Sequence, residues 1–166
     1  MFGSRVIQLA SMGWSLSVVA LVLKSGLLVA LVAPPDGKQD PLSVSIPVLK
    51  QSEVFKAAAV GEAGITPNEV LAWRVIFNSP DRYSVFRDLL ATGSTSGRLY
   101  ALARLWFGNA DEFVAGAKKL RTEGGMITTV RGCIVSSESL GGLIDEIAAG
   151  DWSREFLAAG RVIMVR

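Results

Sequence analysis

The residues that usually perform acid–base or nucleophilic catalysis are scarce in this chain. Among its 166 residues histidine is absent, and cysteine occurs once, at Cys133. Without histidine, a Ser-His-Asp triad, a Cys-His pair and an ordinary catalytic zinc site are excluded. With one cysteine, neither an internal disulfide nor a CxxC motif can form. The composition therefore favours a non-catalytic protein and predicts no cofactor and no metal ion.

Two further motifs resemble catalytic ones. Gly93-Ser94-Thr95-Ser96-Gly97 is close to the G-x-S-x-G nucleophile elbow, but the elbow needs a preceding strand and a histidine, so a capped turn between helices is expected. The pairs Asp111-Glu112 and Asp145-Glu146 are adjacent on predicted helices, whereas glycoside hydrolysis needs carboxylates that face each other across a cleft.

Cys133 lies beside Ile134, and we expect it to be a small buried hydrophobe.

Binding candidates are clearer than catalytic ones. Lys118, Lys119 and Arg121 form a basic cluster on the polar side of a predicted helix, suited to solvent, an acidic partner or a lipid headgroup. Trp152 is either a core residue or an exposed anchor for a partner protein. Because lysine and arginine nearly balance aspartate and glutamate, nothing in the composition favours nucleic acid.

The N-terminal segment has the strongest hydrophobic pattern. Residues 14–33 are apolar except for serines, a glycine and Lys24, and about twenty such residues suffice to span a bilayer. Residues 1–33 are therefore predicted to be a signal peptide or a transmembrane anchor, and both place the folded part outside the cytoplasm. A buried helix is the third alternative. Lys24 in a span costs a few kcal/mol and would favour pairing with an acidic group of a neighbouring helix.

The elements that position these residues begin with four short helices between Thr66 and Gly124. Each has a capping signal, and glycines lie where the helices must end. The predicted starts are Thr66-Pro67-Asn68-Glu69, Ser79-Pro80-Asp81-Arg82, Gly93-Ser94-Thr95-Ser96-Gly97 and Asn109-Ala110-Asp111-Glu112. In the first of these, Thr66 is expected to cap the helix and Glu69 to complete a capping box.

The two halves of this block are similar at a spacing of about thirty residues. The matching pairs are Arg74 and Arg104, Phe77 and Phe107, Asp81 and Asp111, Leu90 and Leu120, and Thr92 and Thr122. One helix pair per unit resembles a HEAT-like helical repeat, which implies stacked helix hairpins. An ordinary small helical bundle is the alternative.

The rest of the chain completes the predicted fold. Residues 34–47 are predicted to be a linker, with an extended tether from Pro41 to Pro47, and 48–166 a mostly helical domain whose first helix covers Val48–Val60. The segment 126–135 is expected to be extended. Ser136-Ser137-Glu138-Ser139 is expected to cap a helix that ends at about Ala149, and a short helix is expected from Asp151. The tail 161–166 is expected to be a strand that can pair with 126–135. The fold class is mostly α, a short helical-hairpin stack or small bundle with a minor C-terminal β element.

These patterns favour a non-catalytic, exported or membrane-anchored helical domain that binds another protein. One alternative is a subunit of a membrane complex that packs through residues 14–33. The other is a small hydrolase that works without histidine, through carboxylates or a Thr/Ser–Lys pair. All three hypotheses are compatible with membrane association through residues 14–33.

Overall fold

A computed structural model describes residues 40–158, which form a mostly α fold with a small sheet, as the sequence predicts. The helices are α1 Pro41–Lys50, α2 Asn68–Phe77, α3 Arg82–Thr92, α4 Thr95–Leu105, α5 Ala110–Glu123, α6 Leu140–Ala149 and α7 Asp151–Ala158. The strands are β1 Phe55–Val60, β2 Met126–Gly132 and β3 Ile134–Ser139.

Helix α4 lies at the centre of this domain. Every residue from Ser96 to Leu105 except Arg98 is buried, and the helix contacts α1, α3, α5, α6, α7 and β1. Such a helix, apolar on nearly all sides, is stable only when other elements surround it. It therefore fixes where its neighbours can lie.

An aromatic cluster fills the core between α4, α7 and the sheet. The Phe55 ring lies 4.3 Å from the Trp152 ring and 4.7 Å from the Tyr100 ring, measured between centroids. Phe156 contacts both Tyr100 and Trp73, at 5.5 and 5.4 Å. Aromatic pairs at these distances add to the stability gained from burying the rings.

The sheet has the order β1-β2-β3, with β1 parallel to β2 and β3 antiparallel to β2. Strands β2 and β3 form a hairpin whose two-residue turn begins at Gly132, with φ +55°. The outer edge of β1 is covered by side chains, because the Lys56 N–H donates to Tyr100 Oη at 2.9 Å and the Ala58 N–H donates to Glu155 Oε1 at 3.0 Å.

The predictions for residues 41–60 are wrong. The expected tether Pro41–Pro47 lies in α1, where Pro41 occupies the first turn and Asp40 Oδ1 accepts the Leu42 N–H at 3.1 Å. Half of the expected helix Val48–Val60 is instead strand β1. Residues 55–60 form a strand because of tertiary contacts. Pairing with β2 and burial of Phe55 in the aromatic cluster outweigh the local preference for a helix.

The capping predictions have mixed outcomes. Ser94, Asn109 and Ser139 do cap α4, α5 and α6 with their side chains. The capping box at Thr66 is absent, because α2 begins after Pro67 without a side-chain cap and Glu69 accepts a hydrogen bond from Lys56 Nζ at 2.7 Å. The HEAT-like repeat stays a prediction.

Several predictions fall on residues 1–39 and 159–166, outside the described part of the chain. They include the signal peptide or anchor with Lys24, and the C-terminal strand. Within residues 40–158, no helix is both long and apolar enough to cross a membrane.

Candidate protein-binding groove

Helix α5 forms one wall of a surface groove. Asn109 Oδ1 accepts the Glu112 N–H at 3.1 Å, and acidic residues occupy the first turn, where the helix dipole favours them. The helix packs closely on its neighbours at Gly116, where a Cβ atom would lie 2.8 Å from Leu90 Cδ2 and 3.1 Å from Leu102 Cδ2. This contact orients the rest of α5.

Helix α6 forms the other wall. Leu143, Ile144 and Ile147 are buried, which fixes the rotation of the helix about its axis. Its last turn is anchored from outside, because Trp106 Nε1 donates to the carbonyl oxygen of Ala148 at 2.9 Å. The helix ends at Gly150 in a left-handed conformation, φ +84°.

The groove between α5 and α6 has a volume of about 400 Å³ and a mostly apolar lining. Val114 is its most conspicuous member, since 62% of this residue is exposed to solvent. The lining residues are Phe113, Val114, Ala117, Lys118, Arg121, Thr122, Ile144 and Ala148. Exposed apolar surface between two fixed helices is typical of sites that bind another protein.

Two residues of the basic cluster predicted from sequence, Lys118 and Arg121, line this groove. Lys119 is exposed on α5 but is not one of the lining residues. Arg121 forms an ion pair with Asp145 of α6. Lys118 forms none within residues 40–158, so the rim keeps a positive charge that a partner can neutralise.

The acidic residue at the end of α5 is already engaged. Arg98 Nη1 lies 2.7 Å from Glu123 Oε1. The hydrogen bond from Arg98 lowers the pKa of Glu123 against the opposing effect of burial, and the charges of Arg98 and Lys119 lower it further. Glu123 is therefore paired with Arg98 and also interacts with the charge of Lys119, and it is not one of the residues that line the groove.

A second depression, of about 440 Å³, lies beside α1 and β1 and holds Ser52, Lys56 and Glu69. This combination bears on one form of the hydrolase alternative, the one that works through a Thr/Ser–Lys pair. Ser52 Oγ instead donates to the carbonyl oxygen of Val54 at 2.9 Å, and Lys56 Nζ pairs with Glu69 at 2.7 Å. Ser52 and Lys56 therefore do not contact each other as a serine–lysine pair.

Trp152 is not an exposed anchor, contrary to one of the two predictions made for it. It is 1% exposed, and its Nε1 donates to Glu146 Oε2 at 2.7 Å. The guanidinium of Arg131 lies 4.2 Å from the centroid of its ring and pairs with both Glu138 and Glu146. Trp152 is thus a core residue beneath an ion-pair network.

The network shifts the pKa values of its members in opposite directions. Burial acts to lower the pKa of Arg131, but hydrogen bonds and charges from Glu146 and Glu138 outweigh it and raise this pKa. For Glu138, burial acts to raise the pKa, but the hydrogen bond from Thr129 and the charge of Arg131 lower it. Both groups are therefore held in their charged forms.

Cys133 is exposed, so the prediction that it is buried is wrong. It lies in the two-residue turn between β2 and β3, where its side chain has no core to enter. Among residues 40–158, no group of three or more histidine, cysteine or acidic side chains is arranged to hold a metal ion.

The apolar residues of the groove do not stand out in the sequence. The apolar pattern of α5 places Val114 in the buried stripe of the helix, together with Phe113 and Ala117. The exposure of Val114 could have been predicted from spacing, because Phe113, Ala117 and Leu120 recur every three or four residues and Val114 lies one position after Phe113.

Comparisons with protein-family models, with curated proteins and with solved structures find no match. Any inference about function therefore depends on the geometry of the groove.

Proposed function

We propose that this domain binds another protein through the α5–α6 groove, and that the bound segment is an amphipathic helix with acidic residues. The observation that carries the proposal is the combination of a mostly apolar lining, in which Val114 is exposed, with Lys118 beside it, which is unpaired within residues 40–158. An apolar face fits the groove, and a carboxylate beside it meets Lys118.

A helix is the occupant that suits a groove between two helices. Its apolar side chains recur every three or four residues and can enter such a groove in a row, while its polar face stays in water. Apolar contacts at the centre of an interface supply most of the affinity, and charges at the rim mainly set the association rate and the choice of partner.

We also propose that the domain lies outside the cytoplasm, because the apolar residues 14–33 direct its export or anchor it in a membrane. A cleaved signal and a retained anchor both agree with it. A retained anchor would hold the groove close to a membrane surface and favour partners found there.

The proposal can be tested with two synthetic helical peptides that share one apolar face and carry either acidic or basic residues beside it. Fluorescence anisotropy should give an affinity for the acidic peptide at least about tenfold higher, and the difference should shrink as salt screens the charges. Equal affinities for the two peptides would contradict the proposal.

Two variants locate the binding. Val114→Asp should abolish binding of the acidic peptide, and Lys118→Glu should remove the preference for acidic over basic peptide. Val44→Asp is the matched control, since Val44 is a 49% exposed valine of α1 outside the groove. Unchanged binding to the Val114→Asp variant would exclude the groove as the site.

A further inference from the structure

Strand β3 forms one edge of the sheet, and its backbone groups alternate in direction. The Leu140 N–H, directly after the strand, donates to the carbonyl oxygen of Gly125 at 3.0 Å and so points toward β2. The backbone groups of an antiparallel strand point alternately toward and away from its neighbour. The even-numbered residues of β3 therefore face β2, and Val135 and Ser137 direct their backbone N–H and C=O groups outward.

This outer edge of β3 is open in the described part of the chain. Within residues 40–158, the outward N–H and C=O groups of Val135 and Ser137 have no hydrogen-bond partner. The opposite edge of the sheet differs, because Tyr100 and Glu155 accept hydrogen bonds from the N–H groups of β1. A row of open backbone groups is the template for another extended strand, whose donors and acceptors alternate in the same way.

Strand β3 also lacks the features that usually prevent edge-to-edge pairing. Protected edges carry lysine, proline or a bulge. The sequence of β3 is Ile-Val-Ser-Ser-Glu-Ser, and its register with β2 is uninterrupted. Its single charged residue, Glu138, is bound by Thr129 and Arg131 of β2. Two copies of β3 can therefore lie side by side without repulsion between unpaired like charges.

The open edge is complementary to itself. When two copies meet antiparallel about a two-fold axis at Ser136, Val135 of each copy lies opposite Ser137 of the other. Each such pair can exchange both of its N–H···O=C hydrogen bonds. The two Val135 side chains then lie diagonally across the new strand pair, within reach of each other. A second copy thus satisfies the open backbone groups and covers a valine that is 68% exposed.

We propose that two copies of this chain associate through antiparallel pairing of their β3 strands, which joins two three-stranded sheets into one continuous sheet. A second copy is favoured over an unrelated peptide because its edge has the same open residues at matching spacing. The contact is short, so the association is weaker than that of an obligate dimer. It shares no residue with the α5–α6 groove and is independent of the function proposed for that groove.

The test is chemical cross-linking of the full-length chain in the cells that produce it. Cys133→Ser removes the native thiol, and Ser137→Cys introduces a thiol at an exposed position of β3. Ser84→Cys in the same background is the matched control, because Ser84 is an exposed serine of α3. Pairing of β3 holds the two introduced thiols at high effective concentration, so a short bis-maleimide should link two copies at least about fivefold more at position 137 than at 84.

Mass spectrometry of the linked peptides identifies what lies next to β3. A peptide containing position 137 joined to the same peptide of a second copy supports the proposal. Equal yields at positions 137 and 84 would overturn it. A link from position 137 to another protein, in place of a second copy, would overturn it as well.

Substitutions at Val135 test the backbone hydrogen bonds themselves. Val135→Pro removes an outward N–H but no bond to β2, so it should lower the cross-link yield at position 137 at least about fivefold while the circular dichroism stays unchanged. Val135→Thr keeps both the N–H and the branched shape and should retain the yield. If Val135→Pro does not fold, Val135→Lys is the second variant, since like charges at the edge should also lower the yield. Yields of the proline and lysine variants equal to that of Val135→Thr would refute the pairing.

The groove variant separates this surface from the α5–α6 groove. Val114→Asp should leave the cross-link at position 137 unchanged, and Val135→Pro should leave the affinity for the acidic peptide unchanged. If Val114→Asp abolishes the cross-link, the copies associate through the groove and the assignment to β3 is wrong.

Discussion

Gly150 illustrates how a single missing side chain shapes this domain. It has φ +84°, and a Cβ atom there would lie 2.7 Å from Trp106 Cη2. Gly150→Ala should therefore suffer both backbone strain and a clash with the indole ring. We expect a loss of about 2 to 4 kcal/mol in the free energy of unfolding, measured by urea denaturation.

Gly61→Ala is the matched control for this prediction. Gly61 has a similar φ, +71°, but a Cβ atom there would meet nothing within 4 Å, so only the backbone strain applies. Its cost should be about 1 kcal/mol. Equal costs for the two variants would show that the contact with Trp106 is unimportant.

Glu138 predicts a dependence of stability on pH. Because its pKa is lowered in the folded protein, the unfolded chain takes up the proton first as the pH falls. The stabilisation by Glu138 is thus fully present above the unfolded pKa, about 4.3, and is lost as the pH falls through the folded value.

Glu138→Gln should flatten the decrease in unfolding free energy between about pH 6 and pH 3. Urea denaturation at several pH values measures this slope. Glu62→Gln, at an exposed position, is the control and should leave the slope unchanged. A slope for Glu138→Gln as steep as that of the unmodified chain would contradict the assigned contacts of Glu138 with Thr129 and Arg131.

At the residue level, the sequence shows which chemical groups are present, but it does not show whether each side chain is buried or exposed. The absence of histidine is certain from the sequence alone. The environments of Cys133 and Trp152 are not, because each depends on residues distant in the chain. Cys133 is exposed by a hairpin turn, and Trp152 is covered by Arg131.

At the scale of elements, strand β1 depends on helix α4. The Tyr100 hydroxyl accepts the Lys56 N–H at 2.9 Å, and burial raises the pKa of Tyr100, so this hydroxyl stays neutral. Tyr100→Phe should leave the Lys56 N–H without an acceptor and cost about 1 to 3 kcal/mol in unfolding free energy. The measurement is urea denaturation.

Thr92→Val removes the hydroxyl of an exposed threonine at the end of α3 and serves as the control. It should change the unfolding free energy by less than about 0.5 kcal/mol. A loss for Tyr100→Phe no larger than this would mean that water or another acceptor replaces the hydroxyl at the edge of β1.

This dependence also explains which elements the sequence could predict. Ser94, Asn109 and Ser139 act within a few residues of themselves, and the sequence predicts those helix starts correctly. Strand β1 has its partners in β2, α4 and α7, far along the chain, and local pattern indicates a helix. Long-range contacts decide the conformation there.

At the scale of the whole molecule, the described residues share one hydrophobic core. Its buried apolar side chains extend from Leu49 to Phe156 and form one cluster. A fragment of residues 40–158 should therefore fold alone and unfold in one cooperative transition, followed by circular dichroism in urea. A gradual transition, or binding of a hydrophobic dye by the fragment, would show that the core needs other parts of the chain.

The candidate groove belongs to this scale as well. Its basic residues are visible in the sequence as a cluster on α5. Its apolar lining is not, because Val114 and Ile144 are far apart in the chain and meet only when α5 packs against α6. A surface made by two helices cannot be predicted from the pattern of one.

The central claim is that the α5–α6 groove binds an acidic amphipathic helix of another protein. The most direct test places the photo-reactive residue benzoylphenylalanine at position 114 in cells and identifies the cross-linked partner peptide by mass spectrometry. The same residue at position 44 is the control. We predict a cross-link at 114 to an amphipathic, acidic helical segment, lost when Lys118 is changed to glutamate. A cross-linked segment without acidic residues, or an equal yield at position 44, would contradict the claim.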